Sequence, residues 1–243
     1  MKIISKPSPN FDERTLPISL IVLHYTGMED GPAALERLCD PEAKVSAHYM
    51  VEEDGTIYGL VGEDKRAWHA GVSEWGGEAN INSASIGIEI VNGGHNVPRP
   101  DGSLPPFPDA QINAVIALCK DIQTRHGELG LVGHSDIAPG RKIDPGEHFP
   151  WQGLAAAGLG FLPQVSDDRR VLFEIGSRDR GIAILQAGLA HIGYGARVSG
   201  VMDELTQHII EAVQRRYRPD QIDGVVDVMT MEIVKALAEF KNV

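Results

Sequence analysis

Cysteine is nearly absent from this chain. Of 243 residues only Cys39 and Cys119 carry thiols, and they stand far apart, so neither a disulfide framework nor a cysteine zinc site can be built from them. Basic residues are scarce too. The 22 Lys and Arg face 34 Asp and Glu, a formal net charge of −12, and this removes the cationic footprint that nucleic acid or an anionic membrane requires. Long apolar runs are missing as well. The run at 18–23 is far too short to cross a bilayer, so no membrane insertion is expected. The opening MKIISKPSPN carries prolines at 7 and 9 and no apolar h-region. It points to a cytoplasmic protein, with a periplasmic one as the alternative if the biological start lies elsewhere.

What is present has the size of one α/β domain plus a small module. Residues 1–17, punctuated by prolines, read as irregular. ISLIVLHYT (18–26) reads as a buried strand ending at His24, the end at which open α/β sheets place functional groups. Pro32 suits the first turn of a helix with Ala34, Leu35 and Leu38 on one apolar face. VSAHYMVEEDGTIYGLV (45–61) predicts a hairpin around Asp54-Gly55, and 64–82 reads as loop. SIGIEIVN (85–92) is another buried strand, and Glu89 within it is a carboxylate that needs a reason. A surface loop follows, then a helix from Asp109 as N-cap to His126, then a strand over 129–134. Beyond residue 163 three helical patterns appear. Two of them, 199–213 and 223–237, repeat Gly-Val, Asp, Thr, Ile and Ala at an offset of about 24 residues. The expected architecture is α/β, a mixed central β-sheet flanked by helices over 1–163, followed by a three-helix domain over 164–243.

The chemistry concentrates in VGHSDIAPGRKIDPG (132–146), a polar, Gly- and Pro-rich segment that can hardly serve as core. A looping chain brings His134 and Asp144 onto one zinc ion, and His24 is the third ligand. A catalytic zinc keeps three protein ligands and leaves its fourth position to water, whose pKa falls to about 7. Glu89, on a strand expected between those of His24 and His134, is then the general base. Lys142 is placed to reach the oxygen that becomes negative. Each residue also has an ordinary reading: His24 as a core histidine, Asp144 as a turn aspartate before Pro145, Glu89 as an ion pair with Arg141 or Lys142, and Lys142 as a solvated charge. Their joint occurrence favours the site.

LIVLHYT, VSAHYMV, DKRAWHAGVS, SIGIEIVN and HSDIAPGRKIDPG, in that order, carry a resemblance across residues 5–163. The chain resembles zinc-dependent N-acetylmuramoyl-L-alanine amidases, whose fold is shared with T7-type lysozyme and the peptidoglycan recognition proteins. The resemblance implies one Zn2+ per chain on His24, His134 and Asp144, water activation by Glu89, and oxyanion support by Lys142. It implies hydrolysis of the amide between the lactyl group of N-acetylmuramic acid, or its 1,6-anhydro form, and L-alanine. The short 26–45 segment and the C-terminal module resemble the AmiD branch more than the AmpD branch, and the missing export signal implies a cytoplasmic recycling enzyme acting on muropeptides.

The module is similar to peptidoglycan-binding three-helix domains through LQAGLAHIGY, AVQRRY and the repeats, with Ser199 in place of an aspartate and Val213 in place of an aromatic. Glycan binding and simple packing both stand open for it. Tyr25, His48, Tyr49, Trp68 and His69 are expected to line a groove for sugar or stem peptide, with packing an equal alternative for His48 and Trp68. Arg66 and Arg141 are expected to meet carboxylates. His95, His126, His148, His191 and His208 read as ordinary surface or packing residues. Two other readings remain, a muropeptide-binding recognition protein without catalysis and the same zinc chemistry on a different amide. The oligomeric state is left open.

Overall fold

The computed structural model describes residues 2–240. In chain order the elements are β1 (Ile3–Ser5), β2 (Phe11–Glu13), β3 (Leu20–Tyr25), α1 (Gly31–Cys39), β4 (Tyr49–Val51), β5 (Ile57–Gly59), β6 (Lys65–Ala67), α2 (Ile81–Ala84) and β7 (Ser85–Ile90). Then come α3 (Asp109–His126), β8 (Gly130–Gly133), α4 (His134–Ile137), α5 (Trp151–Ala156), β9 (Val171–Phe173), α6 (Arg180–Ile192), α7 (Glu204–Tyr217), β10 (Val226–Asp227) and α8 (Val228–Glu239).

The main sheet runs β1-β5-β4-β7-β3-β8. It is mixed as expected, since β4 and β5 form the antiparallel hairpin and every other pair is parallel. β3 lies between β7 and β8, so the expectation that Glu89's strand would be the central one is corrected. β3 is apolar on both faces and takes a parallel neighbour on each side. Side chains alternate across it. Ile21, Leu23 and Tyr25 join Ile86, Ile88, Ile90 and Leu131 under the inner face of α3, where Val115, Leu118, Cys119 and Ile122 pack. Leu20 and Val22 face the other way, with Val132, onto the C-terminal helices. α1 closes a smaller cluster with Met50, Leu60 and Val91.

Several segments read as irregular contain structure. β1 adds a parallel edge beside β5, and β2 pairs with β6. These are three-residue strands, exposed throughout in β1 and β2 and partly buried in β6, and too short for an apolar alternation to mark them. Asp109 is the first residue of α3 and not its cap, which is Pro108. The 132–146 segment also departs from expectation, since His134–Ala138 are all buried and His134–Ile137 form a single helical turn.

The C-terminal repeat has a physical basis. Asp203 and Asp227 cap α7 and α8, accepting hydrogen bonds from the Thr206 and Thr230 amides at 2.9 and 2.7 Å. Ahead of each cap a buried glutamine, Gln186 or Gln214, accepts two backbone N–H groups of the turn. Ser199 Oγ accepts from Gln186 and from the Val201 amide, the task Asp223 performs in the second copy. Val213 is buried in the core shared with the sheet.

That core joins the two parts. The connecting stretch 161–170 has neither helix nor strand, yet Leu20, Val22, Trp75, Val132 and Ile137 pack in one cluster with Leu185, Leu189, Ile209 and Val213. At its centre Asp136 accepts hydrogen bonds from the Gly133 amide, Tyr194 Oη and Arg216 Nη1, each at 2.8 Å. Arg216 also donates to the Leu131 carbonyl at 3.0 Å and lies 4.1 Å over the Trp151 ring. Arg216→Ala strands a buried carboxylate, and such losses cost about 3–5 kcal/mol. Urea unfolding should report a drop of that size; a change below about 1 kcal/mol would contradict the role given to this pair.

Candidate metal centre and groove

Register brings the site together. His24 on β3 pairs with Glu89 on β7, and Leu23 pairs with Gly133, the last residue of β8 before His134. Three neighbouring parallel strands thus deliver His24, Glu89 and His134 to one end of the sheet, the carboxyl end, where α/β sheets bind ligands. Asp144 arrives by the loop. The Ser135 amide donates to the Asp144 carbonyl at 2.9 Å, which folds the loop back so that His134 and Asp144, ten apart in sequence, meet. Gly140 lies between them at φ +74°, and a Cβ there would stand 2.3 Å from His208 Nδ1, so the turn of this loop depends on glycine. His208 thereby packs on the loop from α7.

His24 Nδ1 and His134 Nδ1 are 2.9 Å apart, and Asp144 Oδ2 lies 3.1 and 3.0 Å from them. All three residues are buried, and they are the one cation-competent group found among the described residues. His134 Nε2 donates to the Ala70 carbonyl at 2.9 Å, which leaves its Nδ1 with a lone pair facing the other two atoms. Burial and the neighbouring His134 hold His24 down to about 4, so its ring is neutral at ordinary pH and able to bind a cation. Asp144 Oδ2, though buried, faces both Nδ1 atoms and completes the set. Edges of a tetrahedral zinc site with bonds near 2.0–2.1 Å are roughly 3.3 Å. Two histidines and a carboxylate at these separations fit zinc.

A groove of about 380 Å³ opens over this triad, lined among others by Tyr25, Arg37, Trp68, Glu89 and Lys142. Glu89 opens partly to the groove, while its Oε2 is closed to solvent and has no hydrogen-bond partner. Neither ordinary ion pair expected for it forms. Arg141 Nη2 instead donates to the Ala70 and Val72 carbonyls at 2.7 and 2.6 Å, bracing the 70–72 backbone.

The other expected groove residues divide. Tyr25 and Trp68 line the groove; Tyr25 Oη contacts His95 Nδ1 at 3.2 Å, and His95 continues to Glu147 at 3.1 Å. Trp68 Nε1 donates to Asp12, which also pairs with Arg66 at 2.6 Å. Arg66 therefore already has a carboxylate partner. His48 is fully buried; its Nδ1 accepts from the Gly87 amide at 2.9 Å and it does not line the groove. Tyr49 is likewise buried, with its hydroxyl on Glu63 at 2.7 Å. His69 reaches the groove wall, but its Nδ1 sits 3.0 Å from His24 Nε2. Arg37 is the basic groove residue that sequence reasoning passed over. It follows Ala34 by one helical turn on the face of α1 that lines the groove, and that spacing was the available signal. Among the described residues it makes no side-chain hydrogen bond or ion pair.

Comparison with known proteins accords with this geometry. The N-acetylmuramoyl-L-alanine amidase family matches residues 14–147, more than half of the chain. The chain belongs to this family. A peptidoglycan binding domain family matches residues 178–234 of the same amidase. Among relatives, the N-acetylmuramoyl-L-alanine amidase AmiD of Escherichia coli is 38% identical over 234 residues, covering 91% of this chain and 83% of AmiD. The 1,6-anhydro-N-acetylmuramyl-L-alanine amidase AmpD of Haemophilus influenzae is 35% identical over 167 residues, 60% of this chain and 86% of AmpD. The solved AmiD complex with anhydro-N-acetylmuramic acid-L-Ala-D-γ-Glu-L-Lys superposes with a TM-score of 0.78 at 35% identity, over 91% of this amidase and 89% of that chain. The AmiD likeness expected from the two-part architecture holds. No helix among the described residues is long and apolar enough to cross a membrane.

The isolated carboxyl of Glu89 has a measurable consequence. Burial, reinforced by Asp144 and opposed by Lys142, raises it well above the ordinary value near 4.5. In the metal-free protein the folded chain then keeps a proton that the unfolded chain releases, so this group's contribution to stability falls as pH rises through that window. Glu89→Gln removes the dependence. Metal-free Glu89→Gln should match wild type in thermal melts near about pH 4 and exceed it near about pH 8; an equal difference at both values would contradict the assignment.

Proposed function

We infer that this chain is a zinc-dependent hydrolase that cleaves the amide between the lactyl group of N-acetylmuramic acid, or 1,6-anhydro-N-acetylmuramic acid, and L-alanine of the stem peptide. The observation that carries the reading is the meeting, at the floor of one groove, of a buried three-atom ligand set with an unpartnered glutamate and an unpaired lysine. Zinc, when bound by His24, His134 and Asp144, polarises the carbonyl and lowers the pKa of water to about 7.

The remaining steps belong to the protein. Glu89 accepts the proton of the attacking water on its carboxylate and returns it to the departing amine. Burial raises its pKa, which makes it a stronger base than an exposed carboxylate. Lys142, whose ammonium makes no hydrogen bond or ion pair among the described residues, supports the carbonyl oxygen as it becomes negative. Tyr25 and Trp68 present ring edges and faces to the muramyl sugar. Arg37 is the free guanidinium for a stem-peptide carboxylate, since Arg66 and Arg141 have partners within the protein. A binding protein without catalysis has no use for an isolated glutamate beside a complete ligand set, and this favours the enzyme over a recognition protein.

Three variants separate these roles. His24→Ala should lose zinc by elemental analysis. Glu89→Ala should keep zinc and lose about 10²–10⁴ in turnover, and near-normal hydrolysis in the zinc-loaded variant would remove Glu89 as the base. Arg37→Ala should lower kcat/KM roughly tenfold to a hundredfold, as expected for one charge-assisted hydrogen bond, mainly through KM; an unchanged KM would exclude it from binding. Digesting intact peptidoglycan and released anhydro-muropeptides side by side, with products identified by mass, assigns the substrate, and cell fractionation tests the cytoplasmic location expected from the sequence.

A further inference from the structure

His69 was expected to touch substrate, but its surroundings give it another task. Ser85 Oγ donates its only hydrogen to the Ile81 carbonyl at 2.5 Å, so it can only accept from His69 Nε2 at 3.2 Å. The hydrogen of His69 is therefore on Nε2, and its Nδ1 carries a lone pair. That lone pair lies 3.0 Å from His24 Nε2, which must be the donor. His24 Nδ1 is left bare, and it is the nitrogen that faces His134 and Asp144.

We propose that His69 and Ser85 form a relay that fixes His24 as the Nε2-protonated tautomer, making His69 a positioning residue of the metal centre. The relay is built into the sheet. Ser85 and Gly87 precede Glu89 at alternate positions on β7, so they lie on the same face as His24. A Cβ at Gly87 would stand 2.4 Å from His69 Cγ; only glycine leaves room for the ring there. The backbone amides of His69 and Ala70 both donate to Asn82 Oδ1, at 3.0 and 2.7 Å, which holds the ring's attachment point. The Ala70 carbonyl in turn accepts from His134 Nε2. One short stretch, His69–Ala70, thus sets the tautomers of both histidine ligands, His24 by a side chain and His134 by a carbonyl. The two devices use different atoms, so each can be removed separately.

The inference rests on the zinc reading, and the test separates the two. In the metal-free full chain, ¹⁵N-histidine NMR should show His24 protonated on Nε2, a result that needs neither variant nor metal; a hydrogen on Nδ1 overturns the relay. Zinc titration against a competing chelator should then give one ion per wild-type chain, and no binding at all would overturn the metal reading while the NMR result stands. His69→Phe keeps an aromatic ring but removes the acceptor, and should weaken zinc about 10- to 100-fold, the usual effect of losing a partner behind a metal ligand. His69→Asn returns an amide oxygen near the former Nδ1 and should recover most of that loss. Zinc affinity in His69→Phe equal to wild type overturns the relay.

Discussion

Three unprotonated atoms held about 3 Å apart in a buried place repel one another, and the amidase part is arranged around holding them there. Each is constrained from behind by a different device. His24 is carried by the β3–β7–β8 register and backed by His69. His134 leads a helical turn whose ring is tied to Ala70. Asp144 is held by a backbone hydrogen bond that closes its loop on Ser135. Arg141 donates to the Ala70 and Val72 carbonyls beside it. Against this rigid set Glu89 is conspicuously unconstrained at Oε2. The contrast suits the proposed roles, since a ligand set calls for fixed geometry, whereas a base must exchange its proton during the reaction.

The C-terminal module contributes to the same rigidity. Its three helices cover the sheet face that carries Leu20, Val22 and Val132, and Arg216 and Tyr194 meet Asp136 two residues beyond His134. Packing against the amidase part is therefore a described role of the module. The Gln186 and Gln214 turns explain why its repeat tolerates Ser199, since a serine hydroxyl makes the same two contacts as an aspartate oxygen.

Much of this was legible from residue patterns. β3, β7, α3 and the 45–61 hairpin announced themselves through apolar runs, helical spacing and a Asp-Gly turn, and the helical repeat showed its offset before its caps were known. The metal-competent trio and Glu89 could be picked out only by their joint occurrence at strand ends and in a polar loop, since each alone also had an ordinary reading. What escaped was non-local. The short strands β1, β2 and β6 exist because partners supply their register. The order of β7, β3 and β8 follows from chain crossings that periodicity does not encode. Arg66 and Arg141 carry the same charge as Arg37, and only their neighbours, Asp12 and the 70–72 carbonyls, occupy their guanidinium groups. His48 and His69 likewise look alike in sequence, though one is a packing histidine on Gly87 and the other stands behind a ligand.

The shared cluster has an evolutionary consequence. Leu20, Val22, Trp75, Val132 and Ile137 are apolar because helices α6–α8 cover them. A gene that lost the module in one deletion would expose this face at once, beside the loop that carries His134. Shortening such a chain to the length over which the AmpD relatives align, 60% of it, therefore requires coordinated replacement of that surface by polar residues or by another covering segment. Gain or loss of the module is a change in the interior of the amidase part as much as an addition to its end.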